Sequence, residues 1–400
     1  MSKFTKVRLK DCATFINGMA FKPIDWDTKG LPIVRIQNLT GTNKNFNYYS
    51  KEYNPKFEIN NEDLLISWSA SLGVFIWNGG KAILNQHIFK VVFDKIEISK
   101  KYFYFCILDI LEEMSKKTHG SAMKHITKRN FDNIEIPLPP LQEQERIVGI
   151  LDESFAKIDE SIKILEQDLL NLDELIQSAL QKAFNPLKDN AKENYKLPQG
   201  WEWKSLGEIA NIKGGKRLPK GENLLDNSTK FAYIRVADFQ DNGTINLQSV
   251  KFINENTYNI LKNYKIYDDN LYISIAGTIG KSGIIPKELN GAILTENAIK
   301  LEYIQNNIIN KFMYFFTLSS SFKTQIQIST KIVAQPKLAI TRLKQIQIPL
   351  PPLKEQEQIA SHLDELSSHV KNLKQNYQAQ IKDLQELKKS LLDKAFKGNL

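Results

Sequence analysis

The sequence predicts a mixed α/β chain (α+β-like) in which two β-rich blocks alternate with two long helices that form an antiparallel coiled coil. Three observations support this: one stretch occurs twice, a heptad pattern follows each copy, and the segments between them share one order of apolar runs. We expect block one at residues 1–138, helix one at 139–187, block two at 188–347 and helix two at 348–400. Such a tandem duplication should have a pseudo-twofold axis.

The repeated stretch reads IPLPPLQEQERIVGILDE at 136–153 and IPLPPLKEQEQIASHLDE at 348–365, with 13 of 18 positions identical at an offset of 212 residues. Its prolines suit the first turn of a helix, because proline fixes φ and lacks an N–H that this turn would leave unpaired. Glu143 and Glu145 add negative charge where the helix dipole favours it. The repeat therefore predicts two long helices that begin in the same way.

Apolar residues recur behind both openings at alternating steps of about three and four, which is typical of a coiled coil. We call the predicted contact positions the seam. They are Leu151, Phe155, Ile158, Ile162, Leu165, Leu169, Leu172 and Ile176 in the first helix, and Leu366, Val370, Leu373, Tyr377, Leu384, Leu387 and Leu391 in the second. Since the ends of a domain usually lie close together, the second helix should run back along the first. Phe184 and Phe396 lie beyond the seam and are candidates to hold a partner subunit or a second copy.

Block one contains short β-branched and aromatic runs at 31–39, 62–70, 73–77 and 82–93, followed by a predicted helix at 100–117 and a strand that ends at Ile136. Block two repeats this order with weaker identity: IVRIQNL corresponds to YIRVADF, and LLISWSASLG corresponds to LYISIAGTIG. Residues 185–196 have the composition of a linker. Because the helices kept their sequence while the blocks diverged, the helices should share one task and the blocks should perform two different ones.

The net charge of +9 is concentrated on the two blocks. Residues 1–135 carry +6 and residues 196–347 carry +8, whereas residues 136–195 carry −6 and residues 348–400 carry +1. Two basic blocks held apart by an acidic-to-neutral spacer suggest contact with a polyanion. No apolar run approaches the ~18 residues of a membrane span, and two cysteines argue against a disulfide framework. We therefore expect a reduced, cytoplasmic protein.

The sequence carries no methyltransferase motif and no Gly-rich cofactor loop. The stretch IAGTIGKS at 275–282 ends like a phosphate-binding P-loop, but Ile275 stands where the first glycine is required. The five histidines show no metal-ligand spacing. We therefore expect no catalysis by the chain itself.

With these motifs the chain resembles, over its full length, the specificity (S) subunits of bacterial type I restriction–modification systems. The most specific similarities are the two PLPPLxEQExI openings, LPQGWEWKSLGEIA at 197–210 and SIAGTIG at 274–280. Block one departs from the pattern, since it begins at VRLKDCA without a Leu-Pro-x-Gly-Trp segment.

The resemblance implies a DNA-recognition subunit that is not itself an enzyme. Its two blocks would be target-recognition domains, each reading one half of a bipartite site in double-stranded DNA. Its helices would set the spacing and dock two methyltransferase (modification) subunits, and endonuclease/translocase (restriction) subunits would join through the complex. The methyl donor, ATP and Mg²⁺ would be bound by those partners, so the chain would need no cofactor of its own.

Base edges are usually read by Arg, Lys, Asn, Gln and hydroxyl side chains on loops. Four groups of such residues occur at corresponding places in the two blocks. They are Lys22 with Lys216, Arg217 and Lys220; Ser67, Trp68 and Ser69 with Ser274, Thr278 and Lys281; Asn85, Gln86 and His87 with Thr295, Glu296 and Asn297; and Lys124, Lys128 and Arg129 with Lys337 and Arg342. Arg35 and Arg235, inside strand-like runs, are candidates either for phosphate contact or for a structural role.

Two alternatives stay open at this point. The chain could be a DNA-recognition adaptor of another defence or modification complex, or a non-enzymatic coiled-coil scaffold whose blocks bind protein. Salt dependence separates the scaffold from the DNA binder, because affinity that rests on phosphate contacts falls steeply as salt rises.

Overall fold

The structure is a computed structural model that describes residues 4–69, 71–117, 128–184, 197–330, 338–398 and 400. The predicted linker at 185–196 and the candidate residues Lys124 and Lys337 lie outside the described residues. The chain divides into two compact units. Unit 1 comprises Met1–Glu166 and Gln378–Leu400, and unit 2 comprises Gln167–Tyr377, so each unit contains one block and parts of both long helices.

Block one is built from short strands and one longer helix, and the first long helix follows it. Its elements are β1 (Lys6–Arg8), α1 (Leu9–Cys12), β2 (Thr14–Asn17), β3 (Leu31–Val34), α2 (Ile36–Leu39), β4 (Asn47–Tyr49), β5 (Glu58–Ile59), β6 (Leu64–Ser67), β7 (Gly73–Ile76), β8 (Ala82–Leu84), β9 (Ile88–Val92), α3 (Lys100–Lys117), α4 (Lys128–Asp132), β10 (Glu135–Pro137) and the long α5 (Leu141–Phe184).

Block two has the same plan, and the second long helix ends the chain. Its elements are β11 (Glu202–Ser205), α6 (Leu206–Ile209), β12 (Ala210–Gly214), β13 (Ala232–Ile234), β14 (Lys251–Phe252), α7 (Glu255–Ile260), β15 (Lys265–Ile266), β16 (Leu271–Ser274), β17 (Ser282–Ile284), β18 (Ala292–Leu294), β19 (Ala298–Tyr303), α8 (Asn310–Leu318), α9 (Ser320–Thr330), α10 (Ile340–Leu343), β20 (Gln347–Leu350) and the long α11 (Leu353–Lys397).

The strand order is the same in both blocks. Block one has sheets β2-β9-β6-β7 and β4-β3-β8-β5, and block two has β12-β19-β16-β17 and β14-β13-β18-β15. In each block one central pair is parallel, β3 with β8 and β13 with β18. The first and last strands also pair, β1 with β10 and β11 with β20. The predicted tandem duplication in a mixed α/β fold is therefore confirmed strand by strand.

Two predicted runs in block one are divided in the structure. The strand predicted at 31–39 ends at Val34, because the Arg35 N–H donates to Asn38 Oδ1 at 3.0 Å and starts the one-turn helix α2. The run at 82–93 is split into β8 and β9 by a turn at 85–87, where His87 has a left-handed φ of 72°. Strand β1 forms although block one lacks the Leu-Pro-x-Gly-Trp segment.

The far ends of both long helices belong to the hydrophobic cores of the blocks. Phe396 lies edge-on to Tyr102 with ring centroids 5.6 Å apart in unit 1, and Phe184 lies 5.1 Å from Phe312 in unit 2. The two phenylalanines are 7% and 1% exposed, respectively. The expectation that they are free to hold a partner was therefore wrong, because each anchors its helix to a block.

The two long helices contact each other within each unit. In unit 1, Lys388 Nζ lies 2.6 Å from Asp159 Oδ1 and Arg146 Nη2 donates to the Leu400 carbonyl at 3.0 Å, so the paired segments run antiparallel. In unit 2, Lys374 pairs with Asp173. Both carboxylates lie on α5 and both ammonium groups on α11, so opposite charges flank the seam.

All eight predicted seam positions of α5 are buried or half-buried. On α11, however, Leu373 and Leu387 are 39% and 47% exposed, which places these two outside the buried stripe. Half-buried Lys374 and Lys388 take their places, and half-buried Ile381 also belongs to the stripe. Lys388 Nζ lies 4.6 Å from the centre of the Phe155 ring. The heptad count missed Lys374 and Lys388 because it included apolar residues only, although the methylene stem of a lysine can also cover apolar surface.

In the parts of the chain that the structure describes, no helix has both the length and the apolar character needed to cross a membrane.

Candidate nucleic-acid interface

The β8–β9 turn of block one is held between the two sheets of the block. Met19, just after β2, donates its N–H to the Leu84 carbonyl and accepts one from Gln86, both at 2.8 Å. The Asn85 N–H donates to the Val34 carbonyl at 3.0 Å. These bonds fix the backbone of the turn, so Asn85, Gln86 and His87 are presented on a rigid frame.

Block two repeats this frame with different side chains. Lys216 donates to the Leu294 carbonyl at 2.9 Å, and Thr295 donates to the Ile234 carbonyl at 3.0 Å. Thr295, Glu296 and Asn297 therefore occupy the places of Asn85, Gln86 and His87. The structural counterpart of Lys216 is Met19, and not Lys22 as the sequence alignment suggested.

A glycine in each block allows the close approach on which the frame depends. A Cβ atom on Gly18 would lie 2.1 Å from the Asn85 carbonyl oxygen, and one on Gly215 would lie 2.1 Å from that of Thr295. Real Cβ atoms do not come so close to a backbone oxygen, so any side chain here would push the turn away. These glycines were not among the site residues chosen from the sequence, although a glycine follows the second strand in both blocks.

The structure brings three of the predicted groups of block one together around one aromatic stack. Trp68 stacks on Phe89, with centroids 5.5 Å apart and planes 18° apart, and its Nε1 donates to Asn17 Oδ1 at 3.2 Å. The His87 ring meets Trp68 edge-on at 4.9 Å, and Lys128 Nζ lies 5.3 Å from the Phe89 centroid. His87 Nδ1 is buried and has no hydrogen-bond partner among the described residues.

In block two the basic loop after β12 meets the β18–β19 turn. Lys216, Arg217 and Lys220 are exposed, and Arg217 Nε donates to Glu296 Oε1 at 2.7 Å. Burial raises the pKa of Glu296, but hydrogen bonds from Arg217, its own backbone and Thr295 outweigh it, so the pKa is lowered overall. Glu296 is thus an ionised acceptor, a group suited to a cytosine amino group, with its charge offset by Arg217.

Four candidate residues hold loop segments in place through hydrogen bonds to other parts of the block. Ser67 and Ser274 are fully buried, and their hydroxyls donate to the carbonyls of Ser71 and Thr278. Arg235 forms an ion pair with fully buried Asp238 at 2.7 Å and donates to the Ser249 carbonyl at 2.8 Å. Arg35 donates to Asn47 Oδ1 at 3.2 Å. These contacts give all four a structural role.

The other candidates differ in how far they reach solvent. Lys22, Arg129 and Thr278 are exposed; Ser69, Lys281 and Arg342 are half-buried, and Lys281 pairs with Asp241 at 2.8 Å. The loop of Lys22 also presents Ile24, which is 84% exposed, and Trp26, which is 44% exposed. Ile24 and Trp26 were not predicted from the sequence, because only polar and charged loop residues and Trp68 were considered as candidates for DNA contact.

Within the described residues, no group of three or more His, Cys, Asp or Glu side chains has a geometry that could hold a metal ion. Both cysteines are buried: burial raises the pKa of Cys12 to about 11, and it also raises the pKa of Cys106. Neither thiol has the exposed, electropositive setting of a reactive cysteine.

The chain is similar to type I restriction specificity subunits from both bacteria and archaea. It is 27% identical over 414 residues to the EcoBI specificity subunit of Escherichia coli, which covers 99% of this chain and 86% of that protein. It is 26% identical over 361 residues to the MjaVIII specificity subunit of Methanocaldococcus jannaschii, covering 88% and 82%, respectively.

Two solved structures share the fold. One, described as "Structural basis underlying complex assembly and conformational transition of the type I R-M system", has a TM-score of 0.77 at 18% identity and covers 99% of this chain and 98% of that one. The HsdS subunit of Thermoanaerobacter tengcongensis has a TM-score of 0.59 at 19% identity and covers 99% and 97%. The family model for the type I restriction modification DNA specificity domain matches residues 1–169 and 198–383. The chain therefore belongs to this family of DNA specificity domains and carries the domain twice.

Proposed function

We propose that the chain is the DNA-recognition subunit of a type I restriction–modification complex, and that it has no catalytic activity of its own. Each block reads one half of a bipartite site in double-stranded DNA. The two long helices set the number of unread base pairs between the halves. The complex acts in the cytoplasm, where the chromosome and incoming DNA are found.

One observation carries this proposal: the two blocks hold different side chains on the same backbone frame. Asn85-Gln86-His87 and Thr295-Glu296-Asn297 occupy equivalent turns with equivalent hydrogen bonds to their neighbours. Asn and Gln can bond both N6 and N7 of adenine in the major groove, whereas Glu accepts from the N4 amino group of cytosine. A common frame with different readers is what one molecule needs in order to read two different half-sites.

We further propose that the long helices dock two methyltransferase subunits, and that restriction subunits join through the complex. In unit 2 an apolar groove of about 760 Å³ lies between the helices and the segment before β11, lined by Leu175, Trp201 and Leu366 among others. Trp201 Nε1 donates to Glu355 Oε2 at 2.6 Å, which orders one wall of this groove. The methyl donor, ATP and Mg²⁺ would be bound by the partner subunits.

The proposal is tested by mapping methylated adenines across a host genome while this chain is co-expressed with its methyltransferase subunit. We expect one split motif with an unread gap, which disappears when the chain is deleted. Exchange of block two should change only one half of the motif. Methylation that persists without the chain, or affinity for DNA that does not respond to salt, would favour the protein-binding scaffold instead.

Charge reversal in the basic loop of block two should weaken DNA binding. In the Lys216→Glu, Lys220→Glu double variant we expect affinity to fall by about 10- to 100-fold, and the slope of log K against log salt to fall by about 2, because two phosphate contacts are lost. Titration of labelled duplex at several salt concentrations measures both quantities. Lys262→Glu, an exposed lysine of the same block, is the matched control and should change neither.

A further inference from the structure

A glutamine near the start of each long helix is buried, although glutamine is mostly exposed in proteins. Gln144 in α5 and Gln356 in α11 are each 1% exposed, and they lie at the offset of 212 that relates the two repeats. A buried amide must satisfy both its carbonyl and its amino group, so its contacts fix its orientation.

In unit 1, Gln144 links the long helix to the block helix α3. Its Oε1 accepts the N–H of Ser99, the residue just before α3, at 2.9 Å. Its Nε2 donates to the carbonyl of Pro139, just before α5, at 2.9 Å. One side chain thus joins the N-terminal ends of two helices.

In unit 2, Gln356 makes the same connection. Its Oε1 accepts the N–H of Ile309, just before α8, at 3.0 Å, and its Nε2 donates to the Pro351 carbonyl at 3.0 Å. A further bond of 3.0 Å runs from Nε2 to the Asn307 carbonyl. We call each glutamine with these backbone partners the glutamine clasp.

An ion pair beside the clasp is duplicated as well. Lys101 of α3 lies 2.5 Å from Asp152 of α5, and Lys311 of α8 lies 2.6 Å from Asp364 of α11. These pairs are substantially exposed, so they contribute little to stability. Their repetition shows that both blocks meet their long helices at the same contact point, although the loops of the blocks have diverged.

We propose that Gln144 and Gln356 are positioning residues that fix the direction in which each long helix leaves its block, and thereby the gap between the two half-sites. This inference rests on the proposed function. Apolar contacts alone allow helices to slide and tilt, because they have no directional requirement. The clasp supplies that direction, since tilting the helix breaks bonds between buried groups.

The length of the helices makes the direction matter. The 44 residues of α5 span about 66 Å at 1.5 Å per residue. A change of about 5° where such a helix leaves its block moves its other end by about 6 Å, which approaches two base-pair steps of 3.4 Å. Loss of the glutamine clasp should therefore let the complex accept several gap lengths, without altering the bases that each block reads.

The first test uses the chain in complex with its methyltransferase subunits. Methylation rates are compared on duplexes whose gap is the native length or is one or two base pairs shorter or longer. For the Gln144→Met, Gln356→Met double variant we expect the native-to-altered rate ratio to fall by about tenfold or more, since small misplacements have large effects on rate. The required bases should stay the same.

Exposed glutamines on the same helices provide the matched control. Gln142→Met and Gln375→Met change the same chemical group and should leave the ratio unaltered. If the clasp only adds stability, the Gln144→Met, Gln356→Met variant should methylate all duplexes more slowly by the same factor, and its native-to-altered rate ratio should equal that of the parent. That result would overturn the inference, whereas a wild-type complex that methylates no split site would overturn the proposed function.

A second test uses the full chain without DNA or partner subunits, and it measures a distance within unit 1. Spin labels at Lys44→Cys in the block and Lys163→Cys on α5 report their separation, and the two native cysteines are too buried to compete for label. We expect one narrow distance in the parent and in Gln142→Met, and a broadened distribution in Gln144→Met. Gln144→Asn, which is polar but too short to reach both partners, should broaden it as well. Narrow distances in both Gln144 variants would contradict the clasp.

Discussion

Insertion of one heptad into both long helices, after Glu166 in α5 and after Gln380 in α11, should lengthen the unread gap of the DNA site by about three base pairs. Seven helical residues add about 10.5 Å, and base pairs are stacked 3.4 Å apart. The bases of both half-sites should not change, because neither block is altered. Mapping of methylated adenines in cells that express the longer chain measures the new gap.

A heptad inserted into α5 alone is the informative counterpart. It would prevent the Lys388–Asp159 and Lys374–Asp173 pairs from forming at the same time, because they lie on opposite sides of the insertion in α5. We expect this variant to lose assembly with the methyltransferase. If the double insertion methylates the original motif with its original gap, the helices do not act as the spacer.

The Gly215→Val substitution should abolish recognition of one half-site and disrupt the backbone frame around the β18–β19 turn. The new Cβ would lie 2.1 Å from the Thr295 carbonyl oxygen, which is backbone and cannot rotate away. We expect a loss of about 2–4 kcal/mol in the free energy of unfolding, typical of severe overpacking. Gly18→Val should do the same in block one. Denaturant unfolding and methylome mapping of each variant test both effects.

Gly149 provides the control for these substitutions. It lies in the interior of α5 with open space around its Cβ position, so Gly149→Ala should raise stability by about 0.5–1 kcal/mol through helix propensity. Equal destabilisation by all three substitutions would mean that close contact with the turn is not the cause.

The sequence predicted the architecture well because both of its signals are periodic. The duplication fixed the order of elements in block two from that in block one. The repeated proline-rich opening placed the start of helix one at 139, two residues before α5 begins at Leu141, and the heptad count on α5 selected eight positions that are all buried or half-buried. On α11 the same counting failed at Leu373 and Leu387, since it recognised apolar letters only and overlooked Lys374 and Lys388.

The candidate interface was harder to predict because it depends on contacts between distant residues. Nothing in the local sequence distinguishes buried Ser67 from an exposed serine, or Arg235, which pairs with buried Asp238, from a free arginine. The glutamine clasps illustrate the same limit. The two glutamines are repeated in the sequence, but their burial depends on contacts with Ser99 and Ile309, which lie more than 40 residues away along the chain.

The pairing of the first and last strands of each block has a consequence for the gene. Since β1 lies beside β10 and β11 beside β20, a block starts and finishes at one place. The stretch that follows each block is nearly the same in both copies and already contains the clasp glutamine. Recombination within this stretch can therefore exchange a whole block as a cassette that arrives with its anchoring point intact. A host cell thereby acquires a new half-site in one genetic event, without new mutations in the spacer.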